Sequence, residues 1–174
     1  MMKRLVPCFF MFALCISACF GSITEDPEIA DSYLTDGEYV SMGKLEGYEK
    51  LFVLGGGAET IDVKNHGYLE VQDTAKPLGY HTGIYDIFLY DNSELLYLGG
   101  ITQEITLGDN ATAELRGGRV NYITIYHLAP NYLCEVTIYC QAGYDMTETS
   151  ISGLWEDGTF FYIQFIDPSS FFDP

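Results

Sequence analysis

The chain has 174 residues, the size of one domain with a leader or tail. Its 8 Lys and Arg against 25 Asp and Glu give a formal charge of −17, which argues against nucleic-acid binding and against a polybasic membrane-surface site, since both need clustered Lys and Arg. With 48% hydrophobic and 15% aromatic residues, including 14 Tyr and 11 Phe, it does not have the composition of a disordered chain either. What remains is an acidic, aromatic-rich β protein.

Residues 1–18 read as a signal peptide. Lys3 and Arg4 form a short basic region, and Leu5 to Ile16 is an apolar run of 12 residues, shorter than the ~20 needed to span a bilayer as a helix. The run ends in Ile16-Ser17-Ala18-Cys19. This ending resembles the bacterial lipobox, which implies cleavage before Cys19 and lipidation of its thiol and amine. The expectation is a chain secreted by its signal peptide and held by lipid in the cell envelope, at the outer membrane or cell surface. Two or three acyl chains give stable attachment where one does not. The mature chain of 174 − 18 = 156 residues would carry 6 basic and 25 acidic groups, a formal charge of −19.

Residues 19–37 are expected to be the lipidated Cys19 and an acidic tether. Ser22 to Gly37 is polar, acidic and interrupted by Pro27. Residues 38–142 then repeat. Ile87-Phe-Leu89 recurs as Ile105-Thr-Leu107 and Ile123-Thr-Ile125, each a step of 18 residues. Asp91-Asn92 recurs as Asp109-Asn110, and Leu98-Gly99-Gly100 answers Arg116-Gly117-Gly118. Worn copies precede these: Val53-Leu54-Gly55-Gly56 before Ile61-Asp-Val63, and Leu69-Glu-Val71-Gln-Asp73, which lies 18 before Ile87 and Asp91.

Apolar residues alternate at spacing 2 inside the repeat, and β-branched residues are frequent, which favours strands. Units of this length hold two or three short strands and no helix. The fold expected is all-β: a single-stranded parallel β-solenoid (β-helix) of ~18-residue coils. Its Gly-Gly pairs would sit at corners. Ile87, Ile105 and Ile123 would form an inward column, with an amide ladder at Asn92 and Asn110. Handedness stays open. Residues 143–174 break the register, and Asp157-Gly158 between two β-rich runs reads as a hairpin. This hairpin, holding the only Trp, would cap the end of the stack, with Phe161, Ile163 and Phe165 on one apolar face. Gly-Gly strand repeats followed by Ser152-Gly-Leu-Trp155-Glu-Asp-Gly158-Thr resemble secreted bacterial β-helix surface proteins. The resemblance implies a display, adhesion or glycan-contact role.

Candidate chemistry is sparse. Leu51 to Ala58 imitates a dinucleotide-binding glycine loop, but a strand and not a helix follows, so a β corner is expected. Asp73, Asp91 and Asp109 recur at steps of 18 and would stack about 4.8 Å apart, an arrangement that Ca²⁺ would relieve with oxygen ligands and that water-facing turns would also explain. Arg116 and Arg119, the arginines of the mature chain, flank Gly117-Gly118 and are candidates for holding a carboxylate sugar, or for clamp and base in a lyase-like β-helix enzyme; local ion pairing is the simpler role. His66, His81 and His127 are scattered. Tyr80, Tyr85, Tyr90, Tyr97, Tyr122 and Tyr126 are candidates for stacking on sugar rings, with Tyr90 and Tyr126 at the same repeat position. Cys134 and Cys140 lie six residues apart in a strand-like run; that run spans ~20 Å against the ~7 Å a disulfide allows, so two free thiols are expected unless the chain turns. The reading is a lipid-anchored, non-catalytic surface module meeting the membrane through its lipid and a polysaccharide or protein surface as partner. A small polysaccharide-acting enzyme and a ligand-free scaffold are the alternatives.

Overall fold

The computed structural model describes residues 31–74, 83–126 and 133–166. These residues are all-β, with fourteen strands and no helix among them. One sheet is wholly parallel and runs β1 (Asp31–Leu34), β3 (Lys50–Leu54), β5 (Tyr68–Asp73), β7 (Glu94–Tyr97), β9 (Thr112–Leu115), β11 (Glu135–Ile138). The other is mixed and runs β2 (Tyr39–Leu45), β4 (Gly57–Val63), β6 (Ile84–Leu89), β8 (Ile101–Gly108), β10 (Arg119–Tyr126), β14 (Phe160–Ile166), β13 (Ser150–Leu154), β12 (Asp145–Met146). From β1 to β11 consecutive strands always lie in different sheets, so each strand pairs with the next but one.

The register follows the repeat. Ile87 lies opposite Ile105, and Ile105 opposite Ile123, with all three at most 1% exposed. Asn110 Nδ2 reaches Asn92 Oδ1 at 3.5 Å, which is the expected amide ladder. Ile61 joins the isoleucine column opposite Ile87, at a step of 26 rather than 18 residues. The additional eight residues fall between β5 and β6. This corrects one expectation. Leu69 does not lie a coil below Ile87; it belongs to the other sheet and pairs with Leu95. A strand of one sheet had mimicked the spacing of the other because the longer connection shifted it by nearly half a repeat.

The strands of the mixed sheet depart from strict alternation. Ala58, Ile61 and Val63 are buried, as are Ile84, Ile87 and Leu89, and Thr102, Ile105 and Leu107. A spacing of three then two leaves two successive outward residues in each strand: Glu59 and Thr60, Tyr85 and Asp86, Gln103 and Glu104, Asn121 and Tyr122. From the parallel sheet, Leu51, Val53, Leu69, Val71, Leu95, Tyr97, Leu115, Val136 and Ile138 complete one core. Tyr97 was a candidate sugar contact; instead its ring is fully buried and its hydroxyl donates toward Arg119 O at 3.4 Å. It has the parity of Leu95 and faces inward.

The folded part begins earlier than position 38. β1 starts at Asp31, inside the segment read as tether, and pairs with β3 while burying Leu34. At the other end β13 and β14 form the antiparallel hairpin expected around Asp157-Gly158. Asp157 Oδ1 accepts from the Thr159 amide at 2.8 Å and its hydroxyl at 2.7 Å, closing the turn. β14 lies parallel beside β10. Trp155 is completely buried, its ring 4.3 Å from that of Phe161, and its indole N–H donates to Gly118 O at 2.8 Å. The hairpin thus satisfies a corner carbonyl that the next repeat would otherwise have met.

The Gly-Gly corners are built on positive φ, with Gly100 at 89° and Gly118 at 76°. A Cβ on Gly100 would stand 2.6 Å from Thr74 Cγ2 and 2.9 Å from Thr74 N, whereas one on Gly37, at φ 84°, would meet nothing within 4 Å. Gly37→Ala should therefore cost only the left-handed backbone penalty of about 1–2 kcal/mol, and Gly100→Ala clearly more, because the corner above must move. Urea unfolding of the two variants measures the difference.

Candidate functional site

The turn that follows β6 and β8 carries the acidic candidates. Asn65, Asp91 and Asp109 all adopt left-handed backbone, with φ of 60°, 60° and 57°. Such residues are short and polar, the class that tolerates this region best after glycine. Asp91 Oδ2 accepts from the Asn65 amide at 3.2 Å, and Asp109 Oδ2 accepts from the Asp91 amide at 3.4 Å. The two carboxylates are thus hydrogen-bonded along the stack. Asp73 is not the third member of this column. It ends β5 in the parallel sheet, where its Oδ1 accepts from the Thr74 amide at 2.8 Å; Asn65 takes its place. Among the described residues no group of three or more His, Cys, Asp or Glu is arranged to hold a metal ion.

Arg116 and Arg119 are three residues apart but serve different sheets. Arg116 follows β9, pairs with Glu114 at 2.9 Å and lies 4.0 Å from the centroid of the Tyr139 ring. Its guanidinium is held above its usual pKa by the Glu114 hydrogen bond first of all. Arg119 opens β10 and donates Nε to Asn121 Oδ1 at 3.1 Å. The two do not form a common clamp.

Tyr90 and Tyr126 share one column, with Gly108 between them. Tyr126 lies opposite Gly108, and a Cβ on Gly108 would stand 2.9 Å from Tyr90 Cδ1. Lys64 Nζ lies 5.7 Å from the Tyr90 ring, and the Phe88 ring is parallel to it within 3° at 6.3 Å. Both tyrosines are half-buried. Glycine leaves the space into which Tyr90 leans.

A second aromatic group lies on the outer face of the parallel sheet. Tyr33 is stacked on Phe52 across β1 and β3, with centroids 5.4 Å apart and planes 21° apart. Phe52 in turn meets Tyr68 of β5 at 6.1 Å. Tyr33 is 54% exposed, and Leu54 and Leu98 on the same face are 40% and 38% exposed. Glu70 stands directly opposite Phe52. It accepts from Tyr68 Oη at 2.9 Å and from Gln72 Nε2 at 2.6 Å. Burial, reinforced by Glu70, pushes the Tyr68 hydroxyl up to about 12. This patch escaped the repeat analysis. The signal was present in Lys50-Leu-Phe-Val-Leu54, where period 2 puts Phe52 on the face opposite Leu51 and Val53.

Cys134 and Cys140 are both free and half-buried. Cys134 Sγ donates to Asp109 O at 3.2 Å, and burial with the nearby Asp109 charge pushes its thiol up to about 11. His66 stacks on Tyr48 at 4.8 Å. Cys19, Tyr80, His81 and His127 lie outside the described residues.

Comparison with known proteins found no match: no protein-family description fits the chain, and no curated protein or solved structure is significantly similar to it.

Asp86 lies opposite Glu104 on the mixed sheet. Its carboxyl is raised above the usual range by burial first, then by the charges of Glu104 and Glu59. Glu104 is held in place, accepting from Thr124 Oγ1 at 2.6 Å and Thr106 Oγ1 at 3.3 Å. A raised carboxylate destabilises the fold while ionised, so this cost disappears as pH falls through the folded value toward the unfolded one of about 3.9. Glu38 and Asp157 act in the opposite sense, since hydrogen bonds from Thr35 and Thr159 lower them. Asp86→Asn should raise the melting temperature at pH 7, with the gain shrinking steadily down to about pH 4. Thermal melts of both chains across that range measure it.

Proposed function

We propose that the two sheets are faces of a single-stranded parallel β-solenoid, closed by the C-terminal hairpin, and that this body is a non-catalytic glycan-contact module carried on the cell envelope by a lipidated Cys19. The 18-residue register on both sheets supports the solenoid, and Ile16–Cys19 supports the anchor.

The single observation that carries the binding role is the outer face of the parallel sheet. There the rings of Tyr33, Phe52 and Tyr68 adjoin Glu70 and Gln72. Apolar ring surface beside fixed carboxylate and amide groups suits a pyranose, which offers C–H faces for stacking and hydroxyls for hydrogen bonds. At a formal charge of −17 the chain repels polyanions, so the ligand class is neutral or amino-substituted polysaccharide. Tyr90 and Tyr126 lie on the other sheet and form a separate, smaller aromatic column.

Binding to a panel of neutral, amino and acidic polysaccharides tests this. Phe52→Ala should weaken retention of the preferred glycan about tenfold, on the order of 1.4 kcal/mol for a lost stacking ring, while Tyr90→Ala should leave it nearly unchanged. Loss with Tyr90→Ala alone would move the site to the mixed sheet, and indifference to both would sink the glycan reading. Separately, Cys19→Ser should shift the protein from the membrane fraction to the soluble fraction on cell fractionation.

A further inference from the structure

The outer face of the parallel sheet carries more than its aromatic patch. Period 2 turns Glu70, Glu94, Glu114 and Glu135 outward, each beside a buried residue. They stand on β5, β7, β9 and β11, which are successive neighbours in the sheet, so each of these strands presents one glutamate. The four do not form one column. Glu70 and Glu114 share the register position of Phe52 and Leu96, whereas Glu94 and Glu135 share that of Tyr68 and Thr112. The carboxylates therefore advance by about 4.8 Å per strand while alternating between two rows roughly 7 Å apart, the span of two residues along a strand.

Both rows lead away from the rings, with Phe52 at the head of one and Tyr68 before Glu94 in the other. Burial, then the Glu70 hydrogen bond and the charges of Glu70, Glu94 and Glu114, hold the proton on the Tyr68 hydroxyl, so three of the carboxylates act on the patch. Among the cations of this face, Arg116 pairs with Glu114 at 2.9 Å, and Lys50 stands between Asp31 and Tyr68.

We propose that this face takes an amino-substituted polysaccharide laid across the strands, with its rings on the aromatic patch and its amines against Glu70, Glu94, Glu114 and Glu135 in turn. The proposal rests on the glycan reading and narrows its ligand to the cationic class. Charge selects that occupant: a chain at −17 attracts a polycation, and ammonium groups relieve rows of carboxylates that a neutral sugar leaves unrelieved. Spacing selects it too. In an extended cellulose-type chain each ring advances by about one strand spacing of 4.8 Å and is turned over relative to the last, so the amines project alternately to either side. The two glutamate rows alternate in the same way. An extended basic peptide advances only about 3.3 Å per residue and falls out of step.

Calorimetry of the full chain in mild detergent tests this, with a cellulose-type glucosamine hexamer and its N-acetylated counterpart, at low salt and mildly acidic pH, where amine and carboxylate are both charged. The amine form should bind at least tenfold tighter than the acetylated form and tighter than a lysine hexamer. That preference should fade with added salt, and as rising pH removes the amine charge. Glu94→Gln with Glu135→Gln should weaken the amine form about tenfold and leave the acetylated form unchanged. Glu59→Gln with Asp62→Asn, which removes equal charge from the mixed sheet, should change neither, and Phe52→Ala should weaken both. All variants are to be checked for wild-type melting temperature. Equal binding of the lysine hexamer, or equal losses from the two double variants, would reduce the attraction to net charge and overturn the proposal. No binding of the amine form, or an amine form indifferent to Glu94→Gln with Glu135→Gln, would overturn it as well; weakening of the acetylated form by Phe52→Ala would then leave stacking on the patch standing without it.

Discussion

In-register parallel pairing is the constraint on which the rest of this structure depends. From β1 to β11 each strand gives its backbone groups to the next but one, so equivalent residues, 18 positions apart where the repeat is regular, are set opposite each other at strand spacing. Whatever stands at a position must tolerate its own counterpart above and below. Isoleucine does so by packing, as at Ile87, Ile105 and Ile123. Asparagine does so by linking amides, as at Asn92 and Asn110. Glycine does so by leaving room for a neighbouring backbone, as at Gly99-Gly100 and Gly117-Gly118.

Charge is the hard case under this constraint. Like carboxylates at one repeat position face each other across a single strand spacing, and the molecule handles them in two ways. At the turns, Asp91 and Asp109 accept amide hydrogens from the residue one rung away, which turns each negative group into a backbone acceptor. On the mixed sheet, Asp86 stands opposite Glu104, like charge against like. Glu104 is held by two threonine hydroxyls, and the cost falls on Asp86, whose ionised form is disfavoured.

Periodicity must also end somewhere, and the two ends differ. The C-terminal hairpin lays β14 against β10 and inserts Trp155 over the last corner, with its indole N–H on Gly118 O. The N-terminal end carries smaller residues where later repeats carry large ones: Ser32 stands opposite Leu51, and Gly43 opposite Ile61. That end thins out its apolar surface.

The all-β class, the 18-residue step, the isoleucine and asparagine columns, the glycine corners and the hairpin were legible because each is a local or strictly periodic property of the chain. Period 2 marks a strand whatever it packs against, and a repeated residue marks a repeated environment. The assignment of Leu69 and Asp73 was not legible, because spacing alone cannot tell which of two sheets a strand joins when a connection changes length. The burial of Tyr97, the separation of Arg116 from Arg119 and the Tyr33–Phe52–Tyr68 patch were decided only by the tertiary structure. Which face a side chain takes depends on strand parity. Which rings meet depends on strands 19 and 18 residues apart being neighbours. The sequence by itself thus determined the repeat and its period; the pairing of strands within the two sheets determined the surfaces of the described residues, since surfaces join residues that are distant in the chain.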